Sequence, residues 1–159
     1  MNCCTGAVLD AGCGDGNLTA SLAEHGYQMY GIDLSESGIN IARRRSCGMF
    51  ALASIYDDLR MPFPGVEYFA AIIAIDTIEH LYSPKIFARR SFEALQPGGI
   101  LIVTVPYWGY LKNIVLALTN RLDYALTALW EVGHIKHWSR KTLTELMLEQ
   151  SYEVVSFEG

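Results

Sequence analysis

The residues best placed to do chemistry come early in the chain. Asp10, Gly12, Gly14 and Gly16 form D-x-G-x-G-x-G within the stretch VLDAGCGDGNL, and Asp33 follows 17 residues after Gly16. An apolar run leading into glycines and then a helix-like pattern places backbone N–H groups at a helix start. Such a start attracts negative charge. Glycines let a ligand approach the backbone without meeting a Cβ. Asp33 closes a second apolar run, where a carboxylate can accept two hydrogen bonds from a ribose diol. A turn acid is the plainer role for Asp33, and its pairing with the glycine loop outweighs that role. The dinucleotide fingerprint G-x-G-x-x-G fails at its third glycine, where Asn17 stands. A phosphate-binding Walker loop needs a Lys-Ser/Thr pair, and none follows these glycines.

Two further groups carry titratable chemistry. Glu79-His80 follows a fully apolar run, and a histidine there suits removal of a proton from a phenol or alcohol. Local hydrogen bonding that fixes the loop is the competing role for this pair. Gly133-His134-Ile135-Lys136-His137-Trp138 is the second group. His134 and His137 lie three apart and would share a helix face; a polar hinge into the last helix is the favoured reading. A metal would need Glu79 or His80 as a further ligand, and no metal site is expected. Cys3, Cys4, Cys13 and Cys47 fit neither a zinc pattern nor a disulfide framework, and read as free thiols of a reducing cytoplasm.

The elements that must hold these residues are legible as a strand–helix alternation. Strands are expected over 7–9, 29–32, 49–55, 69–75 and 100–105. Helices are expected over 17–25, from the Ser35 N-cap to about Arg45, and from Pro84 to the break at Gln96-Pro97-Gly98-Gly99. Alternation of this kind predicts an open, mostly parallel α/β sheet with helices on both faces. After Val105 the rhythm changes. Leu111, Ile114, Val115 and Leu118, then Leu122, Ala125, Leu126 and Leu129, fall at helical spacing, broken near Asn120. A helix from Ser139 to Gln150, with Ser139 or Thr142 near its start, and a final strand from Glu153 to Phe157 complete the reading. Arg43-Arg44-Arg45 reads as a solvated helix end. The chain has 159 residues, enough for one domain with a real core, and 51% are hydrophobic. A net charge of -5 gives no reason to expect nucleic acid. No apolar run approaches the length that spans a bilayer, so integral membrane contact is not expected.

VLDAGCGDGNL, YGIDLS, IAIDTIEHL and LQPGGILIVTVP, in this order and spacing, resemble the class I S-adenosylmethionine-dependent methyltransferases. Within that family the chain is most similar to small-molecule enzymes that O-methylate ubiquinone precursors. The resemblance implies S-adenosylmethionine as cofactor. The loop from Asp10 through Ala11, Gly12 and Gly14 to Gly16 would pass under its methionine end. Asp33 would bind both ribose hydroxyls, Leu34 would pack on the adenine, and Ser54, Ile55 and Tyr56 would flank the adenine edge. Asp76 and Thr77 would border the methyl-bearing sulfur. The contact to the adenine amine stays open among Ser54, Asp57 and Asp58. Glu79 and His80 are the candidate catalytic pair.

The resemblance also implies a Rossmann-like three-layer domain over 1–159, with 106–138 as a helical insertion covering the acceptor. A helix before the first strand and a seventh, antiparallel strand are both expected to be lacking. The expected partners are a small-molecule acceptor, oxygen favoured, and a second copy of the chain. A truncated cofactor-binding module without turnover is the alternative.

Overall fold

The computed structural model describes residues 6–124 and 133–158. Five parallel strands form one sheet: β1 (Ala7–Ala11), β2 (Gln28–Asp33), β3 (Met49–Leu52), β4 (Phe69–Ile75) and β5 (Leu95–Thr104), in the order β3-β2-β1-β4-β5. The order reverses between β1 and β4, the point where open α/β sheets gather ligands at the strands' carboxyl ends. Five helices accompany the sheet among the described residues: α1 (Asn17–Glu24), α2 (Glu36–Ala42), α3 (Pro84–Ala94), α4 (Tyr110–Leu118) and α5 (Arg140–Glu149). No described helix is long and apolar enough to cross a membrane.

Side-chain alternation along the strands divides the core in two. Val8, Met29, Ala71 and Ile73 face α1, with Leu22, Ala23 and Tyr27 packed over them. Leu9, Tyr30, Ile32 and Ile72 face the other way, onto Phe87 and Ala88 of α3 and Leu143, Leu146 and Met147 of α5. β4 is buried at every position but its last, as a central parallel strand must be. β5 is an edge strand. Its Ile100 and Ile102 are about half exposed, while Leu101 and Val103 turn into the core.

The end signals act where expected. The Ser35 side chain accepts the Gly38 N–H at the start of α2. Ser139 and Thr142 form a reciprocal capping box on α5. Pro84 opens α3.

Four expectations need correction. The third strand stops at Leu52, and Ile55 turns inward into the core instead of extending it. The fifth strand begins at Leu95, so the Pro97-Gly98-Gly99 turn is an irregularity inside it, with a register shift against β4. Residues 153–157 pair with no strand. Tyr152 donates its hydroxyl to the Ala88 carbonyl at 3.0 Å, and Arg140 lies over the Phe157 ring at 5.2 Å. Those anchors tie the segment to α3 and α5, across a groove of about 1210 Å³ from β5. The apolar stripe of α4 is open: Leu111, Ile114, Val115 and Leu118 are each more than half exposed. The second expected helix of this region is a 3-10 turn at Leu122–Tyr124, and its remainder lies outside the described residues.

Candidate active site

The sequence-predicted residues converge at the carboxyl ends of β1, β2 and β4. The glycine loop is tied to the end of β2 by Gly12 N–H and Cys13 N–H, which donate to the Ile32 carbonyl at 2.8 and 3.0 Å. Asp33 then reaches back. Its Oδ2 accepts the Gly14 N–H at 2.9 Å and its Oδ1 accepts the Ser35 N–H at 2.7 Å. Asp33 is therefore both the turn acid and the rim of the loop, with lone pairs left on each oxygen. Leu34 beside it is 68% exposed.

The three loop glycines all have positive φ: 89° at Gly12, 54° at Gly14 and 73° at Gly16. Their surroundings differ. A Cβ on Gly12 would sit 2.6 Å from the Thr77 hydroxyl, and one on Gly16 would strike Phe50 and Ala42. A Cβ on Gly14 would meet nothing within 4 Å. Gly12 and Gly16 thus serve packing, and Gly14 presents the open face where ligand atoms can approach. Thr77 donates its hydroxyl to the Ala11 and Ile75 carbonyls, joining the ends of β1 and β4.

Free amides, expected at this helix start, are scarce. Gly12, Cys13, Gly14, Gly16 and Asn17 all donate within the protein, Gly16 to the Cys13 carbonyl and Asn17 to Asp15 Oδ1. Such a loop is not a phosphate nest. The accessible acids around it, Asp33 and Asp76, favour a ligand with cationic groups and hydroxyls.

Asp10 lies beneath the loop and does not face out of it. It is 3% exposed, and Thr19 of α1 donates its hydroxyl to Oδ2 at 2.6 Å. Burial pushes the carboxyl up to about 6, the Thr19 hydrogen bond works against that rise, and Asp33 adds to it. Burial also pushes the Cys13 thiol up to about 12, so Cys13 packs as a neutral group. Asp76 has φ 45°, a strained value for a residue with a side chain. Thr104 holds it there, accepting from Asp76 N–H and donating to Oδ1, both at 3.1 Å.

The adenine-side expectations divide. Ser54 is half-buried after β3, with its Oγ accepting the Tyr56 N–H. Ile55 belongs to the core. Tyr56 turns toward α3, its hydroxyl accepting the Ser83 N–H and its carbonyl accepting from Arg90. Asp58 is engaged by Arg60 through two hydrogen bonds of 2.9 Å, and that pairing lowers its carboxyl below the usual range.

Glu79 and His80 form a 3-10 turn (Ile78–His80) just past Asp76 and Thr77. Glu79 is 1% exposed, and neither carboxylate oxygen has a hydrogen-bond partner among the described residues. Burial raises its carboxyl above the usual range. His80 and His134 oppose that rise, and Asp76 reinforces it. The Glu79 carbonyl accepts the N–H groups of Ile135 and Lys136 at 3.0 and 2.9 Å. That clasp brings the His134 ring to 5.1 Å from the His80 ring. Residues 133–138 form no helix and bend at Ile135, so His134 and His137 do not share a helix face: His137 lies against Trp108 at 4.3 Å.

Sequence reasoning missed Thr19, Thr104 and Arg45. The Arg45 guanidinium donates to the Asp15 carbonyl and to its carboxylate, each at 2.7 Å, and so clips the glycine loop to the end of α2. A buried acid at a strand end needs a donor, and that requirement was the available signal for Thr19.

Comparison with known proteins agrees with this geometry. A family model described as a methyltransferase domain matches residues 5–157. The ubiquinone biosynthesis O-methyltransferase of Azorhizobium caulinodans is 30% identical over 156 residues, 95% of this chain and 58% of that protein. The Bradyrhizobium diazoefficiens protein of the same name is 30% identical over 164 residues, 100% of this chain and 63% of that protein. The chain thus spans about three fifths of the length of these relatives. Among solved structures, the (4+2)-cyclase SpnF superimposes with a TM-score of 0.72 at 23% identity, covering 96% of this chain and 53% of that one. A methyltransferase from Archaeoglobus fulgidus gives 0.69 at 16% identity, covering 92% and 61%. By sheet order, glycine loop and family match alike, the chain belongs to the class I S-adenosylmethionine-dependent methyltransferase family.

Proposed function

We propose that this chain binds S-adenosylmethionine at the β1–β2–β4 edge and methylates a small-molecule acceptor, with oxygen the favoured atom. One observation carries the reading. Asp33 joins the glycine loop through Gly14 N–H, so an acidic hydrogen-bonding rim borders an open glycine face while most loop amides already donate within the protein. A sugar diol and a cationic group fit that rim; a pyrophosphate does not.

When bound, the cofactor supplies an electrophilic methyl group on a cationic sulfur. The chain's own residues do the rest. Gly12, Gly14 and Gly16 shape the floor, with Asp10 and Thr19 bracing it from below. Asp33 takes the ribose hydroxyls, Leu34 covers one face of the adenine, and Ser54 borders the base. Asp76 and Thr77 line the edge facing the acceptor. Glu79 and His80 stand at that edge and lower the cost of removing the acceptor's proton. Positioning of this kind supplies roughly 7–11 kcal/mol of barrier lowering. Residues 106–138 are proposed to cover the acceptor, and the exposed apolar side chains of α4 suit an apolar or aromatic one. The names of the curated relatives support an oxygen acceptor.

The cyclase with the same fold gives a second reading some support: this scaffold also serves a reaction other than methyl transfer. The test is turnover. The protein is incubated with S-adenosylmethionine and a panel of small phenols and alcohols, and S-adenosylhomocysteine and methyl ether are quantified by mass spectrometry. Equal yields of both products are expected with at least one acceptor, and His80→Ala should cut that yield far more than cofactor affinity. Cofactor binding without turnover on any acceptor would favour the second reading.

A further inference from the structure

We infer that Thr104 is a positioning residue: it locks the Asp76 carboxylate at the sheet edge so that the site distinguishes a cationic sulfur from a neutral one. The inference rests on the proposed reading and deepens it. Among the described residues, Asp76, Asn120 and Ser151 are the non-glycine positions with positive φ. Asn120 and Ser151 each lie just past the end of a helix, α4 and α5, where a left-handed backbone closes the last turn. Asp76 follows the central strand β4 and closes no helix. Its left-handed backbone needs another support, and Thr104 gives it. Thr104 ends β5 and pairs with Ile75. Its hydroxyl accepts the Asp76 N–H and donates to Asp76 Oδ1, both at 3.1 Å. One hydroxyl thereby fixes the backbone and the side chain of Asp76 together. Asp76 Oδ2 accepts no hydrogen bond among the described residues, and Asp76 is exposed. Strain held in this way at a ligand edge marks a group kept for contact.

Place and charge decide what that group meets. Thr77, the next residue, donates to the Ala11 carbonyl, and a Cβ on Gly12 would strike its hydroxyl, so the Asp76 turn abuts the glycine loop. Asp33 borders that loop from the β2 side and Asp76 from the β4 side. A nucleoside with its ribose at Asp33 that crosses the loop brings its sulfur toward Asp76. S-adenosylmethionine carries a positive charge on that sulfur, and S-adenosylhomocysteine does not. A fixed carboxylate therefore shifts the balance of affinities toward the loaded cofactor, by about threefold or more at the spacing and screening of an exposed pair. When the methyl group is transferred, the carbon–sulfur electron pair stays on sulfur, the sulfur becomes neutral, and this part of the hold is released. A carboxylate free to rotate would not be kept at one distance from the sulfur, and Thr104 removes that freedom.

The experiment is calorimetric titration of the parent, Thr104→Val, Thr104→Ser and Asp76→Asn with S-adenosylmethionine and, separately, with S-adenosylhomocysteine, without acceptor. Thr104→Val keeps the side chain's shape and removes the hydroxyl; Thr104→Ser keeps the hydroxyl. Asp76→Asn tolerates the left-handed backbone and lacks the charge. Thr104→Val should weaken S-adenosylmethionine binding at least about threefold more than S-adenosylhomocysteine binding. Asp76→Asn should do so at least as strongly, and Thr104→Ser should restore the parent's ratio of affinities. A merely structural role for Thr104 would weaken both nucleosides alike. Equal losses in Thr104→Val, no loss in either, or a parent-like ratio in Asp76→Asn overturns the inference and leaves the proposed cofactor binding standing. Where circular dichroism shows Thr104→Val unfolded, Thr104→Ala is judged by the same ratio. A parent that binds neither nucleoside sinks both proposals.

Discussion

Gly12 and Gly14 share a left-handed backbone but answer to different forces, and substitution should separate them. Gly14→Ala incurs only the strain of a positive φ, about 1 kcal/mol, because its Cβ would meet open space. Gly12→Ala adds a clash with the Thr77 hydroxyl, for a total of about 2–3 kcal/mol. Urea unfolding should therefore rank Gly12→Ala as the less stable variant, and calorimetry should show Gly14→Ala losing cofactor affinity beyond its small stability loss. Equal unfolding energies for the two would refute the packing role of Gly12. Asp10 makes a pH prediction. Its folded carboxyl titrates near 6, against an ordinary value of 3.8. Below the ordinary value both states are protonated. Between the two values the folded state keeps a proton that the unfolded chain has released, so Asp10 costs stability as pH rises through that window. The loss is of order 3 kcal/mol at most. Asp10→Asn, which keeps an acceptor for Thr19, removes that dependence. The stability of the parent minus that of the variant should fall between about pH 4 and about pH 7; a difference that stays constant would contradict the buried, proton-holding state of Asp10.

At the scale of elements, α5 depends on its capping box. Ser139→Ala strips one half of it and should cost about 1 kcal/mol, a fall in Tm of about 2–4 °C measured by circular dichroism. An unchanged Tm would mean that packing on α3 alone holds the helix. Elements of this kind were legible in the sequence because the signal and the force coincide. Phe69–Ile75 is apolar at every position and became the central strand over the expected residues. Ser35 and Pro84 opened the helices they announced, and of the two candidates at the last helix Ser139 is the cap, with Thr142 closing the box. The glycine loop at the end of β1 was also legible, because positive φ and close packing demand glycine at particular positions. Tertiary contacts were not. Val154 and Val155 have strand propensity, yet Tyr152 and Phe157 are held by α3 and by Arg140 at the start of α5, and no ladder forms. Spacing left a shared helix face open for His134 and His137 beside the favoured reading of a polar hinge. Two hydrogen bonds to the Glu79 carbonyl hold the bend beside His134, and the two rings meet different partners, His80 and Trp108. Arg45 read as a solvated cation because its partner, Asp15, lies 30 residues away.

For the whole molecule, the sheet order matters most: the strands carrying the glycine loop, Asp33 and Asp76 are neighbours only because the order reverses between β1 and β4. Two cavities among the described residues lie elsewhere, one along the β5 edge and one at the amino ends of β1 and β2. What singles out the carboxyl edge is chemistry: an open glycine, satisfied amides and an acid shared between two loops. The most direct test of that account is calorimetric titration of the parent and Asp33→Ala with S-adenosylhomocysteine. The parent should bind one equivalent, and Asp33→Ala should bind at least about tenfold more weakly, since a hydrogen bond to a charged group contributes roughly 1.5–3 kcal/mol. No heat from the parent at millimolar nucleoside, or equal affinity in the two proteins, would contradict it.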